Sequence, residues 1–498
     1  MAQMDSNARA RQSEADGTEL LANVHPPQWR NPQPTAPYDL VVLGAGPAGL
    51  LAARGAATLG RTVALIERDL LGGNCLNVGC VPSKALIRTS RLYARMSDAQ
   101  DLGVTRPDGI RIDVATGMHR IQRLQARLSR ADSAERLREH GVDVYFGAAG
   151  FAGPTRVTVA GAVLRFKKAL IATGARPMTP AISGLVEAGY WTNEDVFKLA
   201  AVPQRLLVIG GGPLGCELAQ AFCRLGSHVI IAQDDPMFLP GEERDAAQIL
   251  SDSLARDGLE IHLNTQVVAV RRQGEQKVVD LVSDDNKVSV VVDEILAGIG
   301  REPNVDHLDL EAAHVEYELT TGIRVNDFLQ TTNPRIYAAG DVCLAHKFTH
   351  MADATARIVL HNALLRGRRR LSALTVPWCT YTDPDIAHVG LYVRDAREQG
   401  IAVKTFTVLM HDVDRAVTDG DEEGFLKIHV KEGSDEILGA TIVARHAGEM
   451  INELSLAITA GIGLAELGHV IHAYPTQADA IKMAADAYYR TQLKSARR

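Results

Sequence analysis

Residues 38–67 read YDLVVLGAGPAGLLAARGAATLGRTVALIE and carry most of the information about the architecture. An apolar strand runs into a turn with Gly44, Gly46 and Gly49, an alanine-rich helix follows, and a second apolar strand ends at Glu67. Such glycines allow a tight turn and a close approach to a pyrophosphate, whose charge the helix N-terminus favours. Glu67 is placed to accept hydrogen bonds from ribose hydroxyls. The stretch predicts a dinucleotide-binding βαβ unit.

Residues 205–233 repeat this plan as RLLVIGGGPLGCELAQAFCRLGSHVIIAQ, with Gly210, Gly212 and Gly215 in the turn. In both units, 23 positions separate the first glycine from the residue that ends the second strand. Two units of the same spacing predict two bound nucleotides.

Gln233 stands where the first unit has its acid. Glutamine can still hydrogen-bond a ribose, but neither it nor the following Asp234 and Asp235 supplies the positive charge that would hold a 2′-phosphate. We therefore expect a modest preference for NADH over NADPH. His228, Arg244 or another distant base could reverse it.

Composition and charge exclude several classes of protein. The 498 residues, 46% of them hydrophobic, suffice for several full-sized domains. The net charge of -7, with acids and bases interspersed, argues against a nucleic-acid partner. There is no apolar leader and no long apolar run, so we expect a cytoplasmic protein that does not enter a membrane.

The chain divides into an arm and three domains. Residues 1–37 are polar and proline-rich at their end, which fits either a disordered tail or an arm packed along the surface. His119–His140 reads as a helix, and the part after Val376 alternates strands with a helix around Glu449–Ala460, which indicates an α+β domain. The predicted α/β fold has a 1–37 arm, a first nucleotide domain of 38–176 and 300–375, a second of 177–299, and a third domain of 376–498.

The segment 72–84, GGNCLNVGCVPSK, carries the strongest chemical signal. Residues five apart in a regular helix lie about 8 to 9 Å apart at Cα, beyond disulfide reach, so Cys75 and Cys80 must flank a distorted turn. Gly79 permits the turn, and Pro82 suits the first turn of a following helix, whose N-terminus would lower the pKa of Cys80. We therefore interpret the pair as redox-active rather than as two structural cysteines. The other cysteines, scattered and without zinc-site spacing, are Cys216, Cys223, Cys343 and Cys379.

Together these motifs resemble the class I pyridine nucleotide-disulfide oxidoreductases, which include dihydrolipoamide dehydrogenase, glutathione reductase and mercuric reductase. The resemblance runs from about Tyr38 to Tyr489. It implies a glutathione reductase-like fold of two Rossmann-like domains and a C-terminal dimerisation domain. It also implies FAD at the first glycine turn, NADH or NADPH at the second, and a homodimer in which one chain completes the other's active site.

The resemblance assigns roles to individual residues. Lys84 is expected beside the flavin, paired with Glu217. Cys80 is expected to be the thiolate that faces the flavin, and Cys75 the thiol that meets the acceptor; a metal ion would bind this pair only transiently, as substrate. The residues expected to hold FAD are Gly44, Gly46, Gly49, Glu67, Lys84, Thr173, Gly174 and Asp341, and those expected to hold the nicotinamide nucleotide are Gly210, Gly212, Gly215, Gln233 and Gly300.

The C-terminal run HAYPTQADA, 472–480, bears on the acceptor. Disulfide-reducing members carry a histidine base in an HPT motif and a glutamate five residues later; here Tyr474 and Asp479 hold those positions. A phenol with an ordinary pKa of about 10 is a poor proton acceptor, which argues against lipoamide or glutathione. His472 could act as a substitute base. Tyrosine at this position resembles mercuric reductase, as do the runs VPSKALIR, YTDPDIAHVG and DVDRAVTDG.

We therefore expect reduction of Hg(II) or a related soft-metal or thiol-linked acceptor, because thiolates select soft ions. Two alternatives are a dihydrolipoamide dehydrogenase or other disulfide reductase with an unorthodox base, and a metal-sequestering or redox-sensing flavoprotein. Two features separate the sequence from typical mercuric reductases. It ends QLKSARR without a vicinal cysteine pair, and residues 1–37 contain no CxxC motif.

Overall fold

The structure is a computed structural model that describes residues 14–34, 37–99, 103–105, 112–284 and 286–496. Three units of helices and strands make up the fold, each with its own main sheet, and the second unit is inserted in the sequence of the first. Residues 14–24 are helical. The further α-helices are Pro47–Thr58, Gly73–Asn77, Cys80–Asp98, Val114–Ser129, Ala134–Glu139, Leu185–Ala188, Pro213–Arg224, Arg244–Arg256, Thr349–Leu364, Val393–Glu398, Asp414–Asp419, Ala447–Ala460, Leu464–Leu467 and Asp479–Ala496.

The first sheet contains the first predicted βαβ unit. Strands Tyr38–Leu43 and Val63–Glu67 pair in parallel, and the helix Pro47–Thr58 connects them. The order across the sheet is Val142–Phe146, Val63–Glu67, Tyr38–Leu43, Ala162–Ile171, Arg156–Val159 and Ala149–Phe151, with Ile336–Ala338 also paired to Ala162–Ile171. Because the central strands are parallel, the residues that follow their carboxyl ends meet at one edge of the sheet.

The second sheet repeats this arrangement with four parallel strands. Their order is Glu260–His262, His228–Ala232, Arg205–Ile209 and Glu294–Ala297, and the helix Pro213–Arg224 follows the glycine turn. An antiparallel meander adjoins this sheet and consists of Thr265–Gln273, Gln276–Ser283 and Asn286–Val292. The short strands Ala175–Pro177 and Arg301–Pro303 pair where the chain leaves the first unit and returns to it.

The third unit is a five-stranded antiparallel sheet. Its order is Pro377–Thr380, Asp385–Gly390, Ile437–Ala444, Phe425–Lys431 and Val403–Leu409. The helices Ala447–Ala460 and Asp479–Ala496 bury apolar faces against it, with Leu454 and Ala484 fully buried. The α/β fold class with two dinucleotide-binding units and a C-terminal α+β domain is confirmed.

The arm and the helical region that begins at Val114 bear on two predictions about local structure. The described part of the arm, 14–34, packs along the surface with Val24 fully buried, so the disordered alternative does not apply to it. The single helix predicted over His119–His140 is wrong, because Val114–Ser129 ends in a 3₁₀ turn and a new helix begins at Ala134. The Ser133 hydroxyl accepts from the backbone of Arg136 and caps that second helix. Within the described ranges, no helix is long and apolar enough to cross a membrane.

Candidate active site

The first glycine turn leaves an open backbone surface at the start of a helix. Gly44 has a φ of +97°, and a Cβ on Gly49 would lie 1.8 Å from the Gly44 oxygen, so the helix packs directly on the turn. A Cβ on Gly46 would meet only Gly73, at 3.9 Å. No side chain caps the helix Pro47–Thr58, so its first free N–H groups can donate hydrogen bonds to an anion.

A cleft of about 510 Å³ opens from this turn and reaches the cysteine pair. One buried donor in its wall, Arg301 Nε, lacks a hydrogen-bond partner and lies 3.8 Å from Asp341 Oδ2. The predicted site residues that line the cleft are Gly44, Gly46, Glu67, Thr173, Gly174, Asp341, Cys75 and Cys80. A long cleft, an uncapped helix start and an unpaired donor fit a dinucleotide such as FAD.

Both carboxylate oxygens of Glu67 accept backbone hydrogen bonds, one from the glycine turn and one from the loop that follows Glu67. One accepts from the backbone of Ala45 at 2.7 Å and the other from the backbone of Asp69 at 2.9 Å. Burial raises the pKa of Glu67. On the opposite wall, the Thr173 hydroxyl donates to the backbone oxygen of Asn304 at 2.8 Å, which ties the two crossover segments together.

The second glycine turn has nearly the same geometry. Gly210 has a φ of +96°, a Cβ on Gly215 would lie 2.1 Å from the Gly210 oxygen, and a Cβ on Gly212 would meet nothing within 4 Å. The buried Gln233 accepts from the backbone N–H of Gly211 at 2.6 Å, as Glu67 does in the first turn.

The bases that could reverse the nucleotide preference are engaged elsewhere. His228 lies 3.0 Å from Glu260 at the start of its strand, and Arg244 donates to the backbone oxygens of Phe238, Leu239 and Glu242. Gly300 has a φ of +118° and lies beside Met178 at the crossover strands rather than in the second turn.

Cys75 and Cys80 are not in one continuous helix. Cys75 lies in the short helix Gly73–Asn77, and Cys80 is the first residue of Cys80–Asp98. A Cβ on Gly79 would lie 2.8 Å from the oxygen of Asn74, so only glycine fits the break between the helices.

The two cysteines are free thiols that hydrogen-bond to each other. The hydrogen bond from Cys75 lowers the pKa of Cys80 to about 6, and the Thr349 hydroxyl at 3.3 Å and the charge of Lys84 act in the same direction. The same hydrogen bond and burial raise the pKa of Cys75. Cys80 is therefore the thiolate of the pair near neutral pH.

Lys84 and Glu217 join the two nucleotide-binding units. The Lys84 ammonium lies 2.7 Å from one Glu217 oxygen, and the other oxygen accepts from the backbone of Tyr381 at 2.9 Å. Lys84 also lies over the Tyr381 ring, 4.7 Å from its centroid. Glu217 therefore connects the cysteine helix to the third unit.

The C-terminal residues lie outside the cleft of their own chain. The exposed Tyr474 donates from its phenol to Asp414 at 2.6 Å, and this bond raises the pKa of Tyr474. Asp479, which the resemblance placed as its partner, is the first residue of the last helix. The His472 ring is buried, with Nε2 2.9 Å from Glu453 and Nδ1 3.2 Å from the oxygen of Val470.

Sequence reasoning did not find Thr349, Asp414 or Tyr381 as site residues. Thr349 is 269 positions from Cys80 and lies in none of the quoted motifs, and Asp414 is 60 positions from Tyr474. Tyr381 and Asp414 did lie in the runs YTDPDIAHVG and DVDRAVTDG, which could have singled them out. Among the described residues, no group of three or more His, Cys, Asp or Glu side chains is arranged to hold a metal ion.

Comparison with known proteins identifies the family. The model of the pyridine nucleotide-disulphide oxidoreductases matches residues 38–357, and the model of their dimerisation domain matches residues 376–485. A mercuric reductase of Lysinibacillus sphaericus is 34% identical over 448 residues, 90% of this chain and 82% of the relative. A dihydrolipoyl dehydrogenase of Thermus scotoductus is 33% identical over 461 residues, 91% of this chain and 98% of the relative.

Solved structures agree with this assignment. The HOCl-induced flavoprotein disulfide reductase RclA from Escherichia coli has a TM-score of 0.81 at 28% identity, covering 90% of this chain and 99% of that one. Its Cu(II) complex matches with a TM-score of 0.80 at 28% identity, covering 89% of this chain and 98% of that one. The predicted resemblance is confirmed, and the chain belongs to the class I pyridine nucleotide-disulfide oxidoreductases, FAD-dependent enzymes that use pyridine nucleotides.

Proposed function

We propose that this protein is a homodimeric NADH-dependent reductase of a soft metal ion, such as Hg(II), that acts through Cys75 and Cys80. The observation that carries the proposal is the state of Tyr474. It holds the position of the histidine base of disulfide reductases, and its proton is donated to Asp414. A phenol in this state cannot accept a proton from a dithiol substrate near neutral pH.

The thiol pair supports soft-metal chemistry. Cys80 is a thiolate above about pH 6, and Cys75 shares the cleft and becomes the second sulfur ligand when its proton leaves. Soft ions prefer thiolate ligands, and reduction of such an ion needs no proton delivered to a sulfur leaving group. Bound FAD would relay electrons from the nicotinamide to this site. Lys84 would place a positive charge beside the bound flavin, and Glu217 would fix the position of the Lys84 ammonium.

His472, the alternative candidate for a catalytic base, is poorly placed to act in a disulfide reductase. Both nitrogens of His472 are within hydrogen-bond reach of Glu453 or Val470, and its ring is buried. A histidine held in this way needs rearrangement before it can meet a substrate sulfur. This favours the metal-ion acceptor over lipoamide or glutathione, although the relatives include dihydrolipoyl dehydrogenases.

The homodimer is supported by the matched dimerisation domain and by exposed apolar side chains on the third unit. Ile471 is 95% exposed and Tyr474 is 71% exposed. Contact with a second copy of the chain would remove this apolar surface from water, which favours association. Because Tyr474 lies outside the cleft of its own chain, we infer that it serves the cleft of the partner.

The nucleotide preference is inferred from charge. Gln233 faces the second turn, Asp234 and Asp235 follow it, and the nearby bases His228 and Arg244 have other partners. Carboxylates beside the adenosine ribose disfavour a 2′-phosphate. This supports NADH as the electron donor.

The test is a comparison of acceptors under anaerobic conditions. Purified protein receives NADH with mercuric ion plus excess thiol, with lipoamide, or with oxidised glutathione, and nicotinamide absorbance is followed. The proposed reaction is NADH + Hg(II) → NAD⁺ + H⁺ + Hg(0). We expect turnover with mercuric ion that is lost in Cys75→Ala and kept in Cys223→Ala, a thiol of the second unit that lies outside the cleft. Turnover only with a disulfide would overturn the proposal and would point to His472 as the base.

A further inference from the structure

We propose that the described arm, 14–34, is a built part of the FAD site, and that His25 and Asn31 are positioning residues for the adenosine end of the cofactor. The inference rests on FAD occupying the cleft and does not depend on the acceptor. None of these arm residues lines the cleft, so they act through the two segments that do.

The first of these segments is the loop 68–72, which follows Glu67. Arg68, Asp69 and Leu70 line the cleft. The carboxylate of Glu67 marks the ribose side of the nucleotide, so this loop lies at the adenosine end.

The arm holds the outer side of that loop. His25 Nδ1 donates to the backbone oxygen of Asp69 at 2.5 Å, and the backbone N–H of Leu71 donates to the oxygen of Val24 at 3.0 Å. Asp69 in turn donates its N–H to Glu67, which accepts from Ala45 of the glycine turn. A continuous chain of hydrogen bonds therefore runs from the arm to the pyrophosphate turn.

The second segment is the edge strand Val142–Phe146, whose continuation at Gly147–Ala149 also lines the cleft. The amide of Asn31 accepts from the N–H of Phe146 and donates to its oxygen, both at 2.8 Å, as a neighbouring strand would. The Trp29 indole donates to the oxygen of Val144 at 3.0 Å. The His25 ring stacks on Phe146 with a centroid distance of 4.3 Å.

His25 therefore contacts both segments at once, the loop through Asp69 and the edge strand through Phe146. Without the arm, the edge strand would expose unpaired backbone groups and the 68–72 loop would lose its outer anchors. Binding FAD would then require ordering this loop, and that entropy loss lowers affinity. The arm orders the loop before the cofactor arrives.

The test uses the full chain and measures FAD binding to apoprotein by the change in flavin fluorescence. Loss of one hydrogen bond between the arm and the loop should weaken FAD binding about fivefold in His25→Phe, which keeps an aromatic ring on Phe146. Asn31→Ala should weaken it by a similar factor. Glu316→Gln, which removes one charge of an exposed ion pair with Arg324 outside both the arm and the cleft, is the matched control and should bind FAD normally.

A purely structural role is distinguished by thermal unfolding. In His25→Phe the melting temperature of the apoprotein should stay close to that of the wild type, while the stabilisation produced by added FAD falls. Wild-type FAD affinity in both His25→Phe and Asn31→Ala would overturn the proposal. An equal fall in apoprotein stability and no specific loss of FAD binding would overturn it as well.

Discussion

The two glycine turns have almost the same backbone but different side chains at the end of the second strand. Gly44 and Gly210 have φ values of +97° and +96°. In each unit a side-chain oxygen accepts from the turn, from Glu67 at 2.7 Å and from Gln233 at 2.6 Å. The nucleotide-binding backbone is therefore repeated, while the side chain that accepts from the turn differs between the two units.

The surroundings of the two turns also differ. The second oxygen of Glu67 accepts from the loop at Asp69, which the arm holds from outside through His25. Gln233 is instead followed by the acidic Asp234 and Asp235. The first turn thus belongs to a cleft built from several parts of the chain, whereas the second turn is followed by two acidic residues.

The largest expected effects come from two variants, each of which disrupts one of the glycine turns. Gly49→Ala and Gly215→Ala each place a Cβ about 2 Å from a backbone oxygen, which can lower affinity up to about 100-fold. Gly49→Ala should lose FAD, as measured by flavin absorbance. Gly215→Ala should keep FAD and raise KM for NADH.

A neutral substitution calibrates that result. A Cβ on Gly117 would lie 4.0 Å from its nearest neighbour, so Gly117→Ala should retain both ligands. If Gly215→Ala lost FAD as readily as Gly49→Ala, the assignment of one nucleotide to each turn would be wrong.

The next effect concerns the thiolate, which belongs to the first unit. On two-electron reduction, a thiolate-to-flavin charge-transfer band should appear as pH rises through about 6, because the pKa of Cys80 is lowered to that value. The band should be absent in Cys80→Ala. Cys75→Ala has no disulfide to reduce, so the band should be present in its oxidised form, and because the variant lacks the main cause of the shift, the midpoint of the band should rise by about one pH unit or more toward the ordinary value near 8.5. A persistent band in Cys80→Ala would contradict the role of Cys80.

The contact between the two units gives a third prediction. Glu217→Gln removes the charge that fixes Lys84, so NADH-driven flavin reduction should slow about tenfold while FAD content stays unchanged. Rapid-mixing absorbance measures this rate. Glu260→Gln, on the exposed surface of the same unit, should react like the wild type. An unchanged rate in Glu217→Gln would mean that the ion pair serves folding alone.

The smallest expected effect comes from reversing one charge beside the second turn, which tests the preference between NADH and NADPH. Asp234→Arg should raise the ratio of kcat/KM for NADPH over NADH about fivefold, since it adds a cation beside the 2′-position. Asp252→Arg makes the same charge change on the helix Arg244–Arg256 and should leave the ratio unaltered. A wild-type enzyme that already prefers NADPH would contradict the charge argument.

Much of this architecture follows from local patterns. Both βαβ units and the break between Cys75 and Cys80 are dictated by glycine spacing and strand hydrophobicity, which act over short distances. The contacts of Thr349 with Cys80 and of Asp414 with Tyr474 join segments remote in sequence, and no residue spacing encodes them. The helix break at Ser133 was missed because one capping hydroxyl interrupts an otherwise periodic pattern.

Local sequence patterns also do not predict how the arm packs. Residues 14–34 are polar and lack a strong period, yet Val24 is fully buried and Asn31 pairs with a strand more than 100 positions away. These residues pair with backbone groups on the free side of an edge strand. Which strand forms the edge of a sheet cannot be read from a local sequence pattern.

We propose that electrons from NADH end on a soft metal ion held by Cys75 and Cys80. The most direct measurement is the release of elemental mercury vapour from an anaerobic mixture of protein, NADH and thiol-bound mercuric ion. We predict one Hg(0) for each NADH oxidised, and none in Cys75→Ala. NADH oxidation without mercury vapour, or tight retention of mercuric ion without NADH oxidation, would contradict the claim; the second result would identify a metal-sequestering flavoprotein.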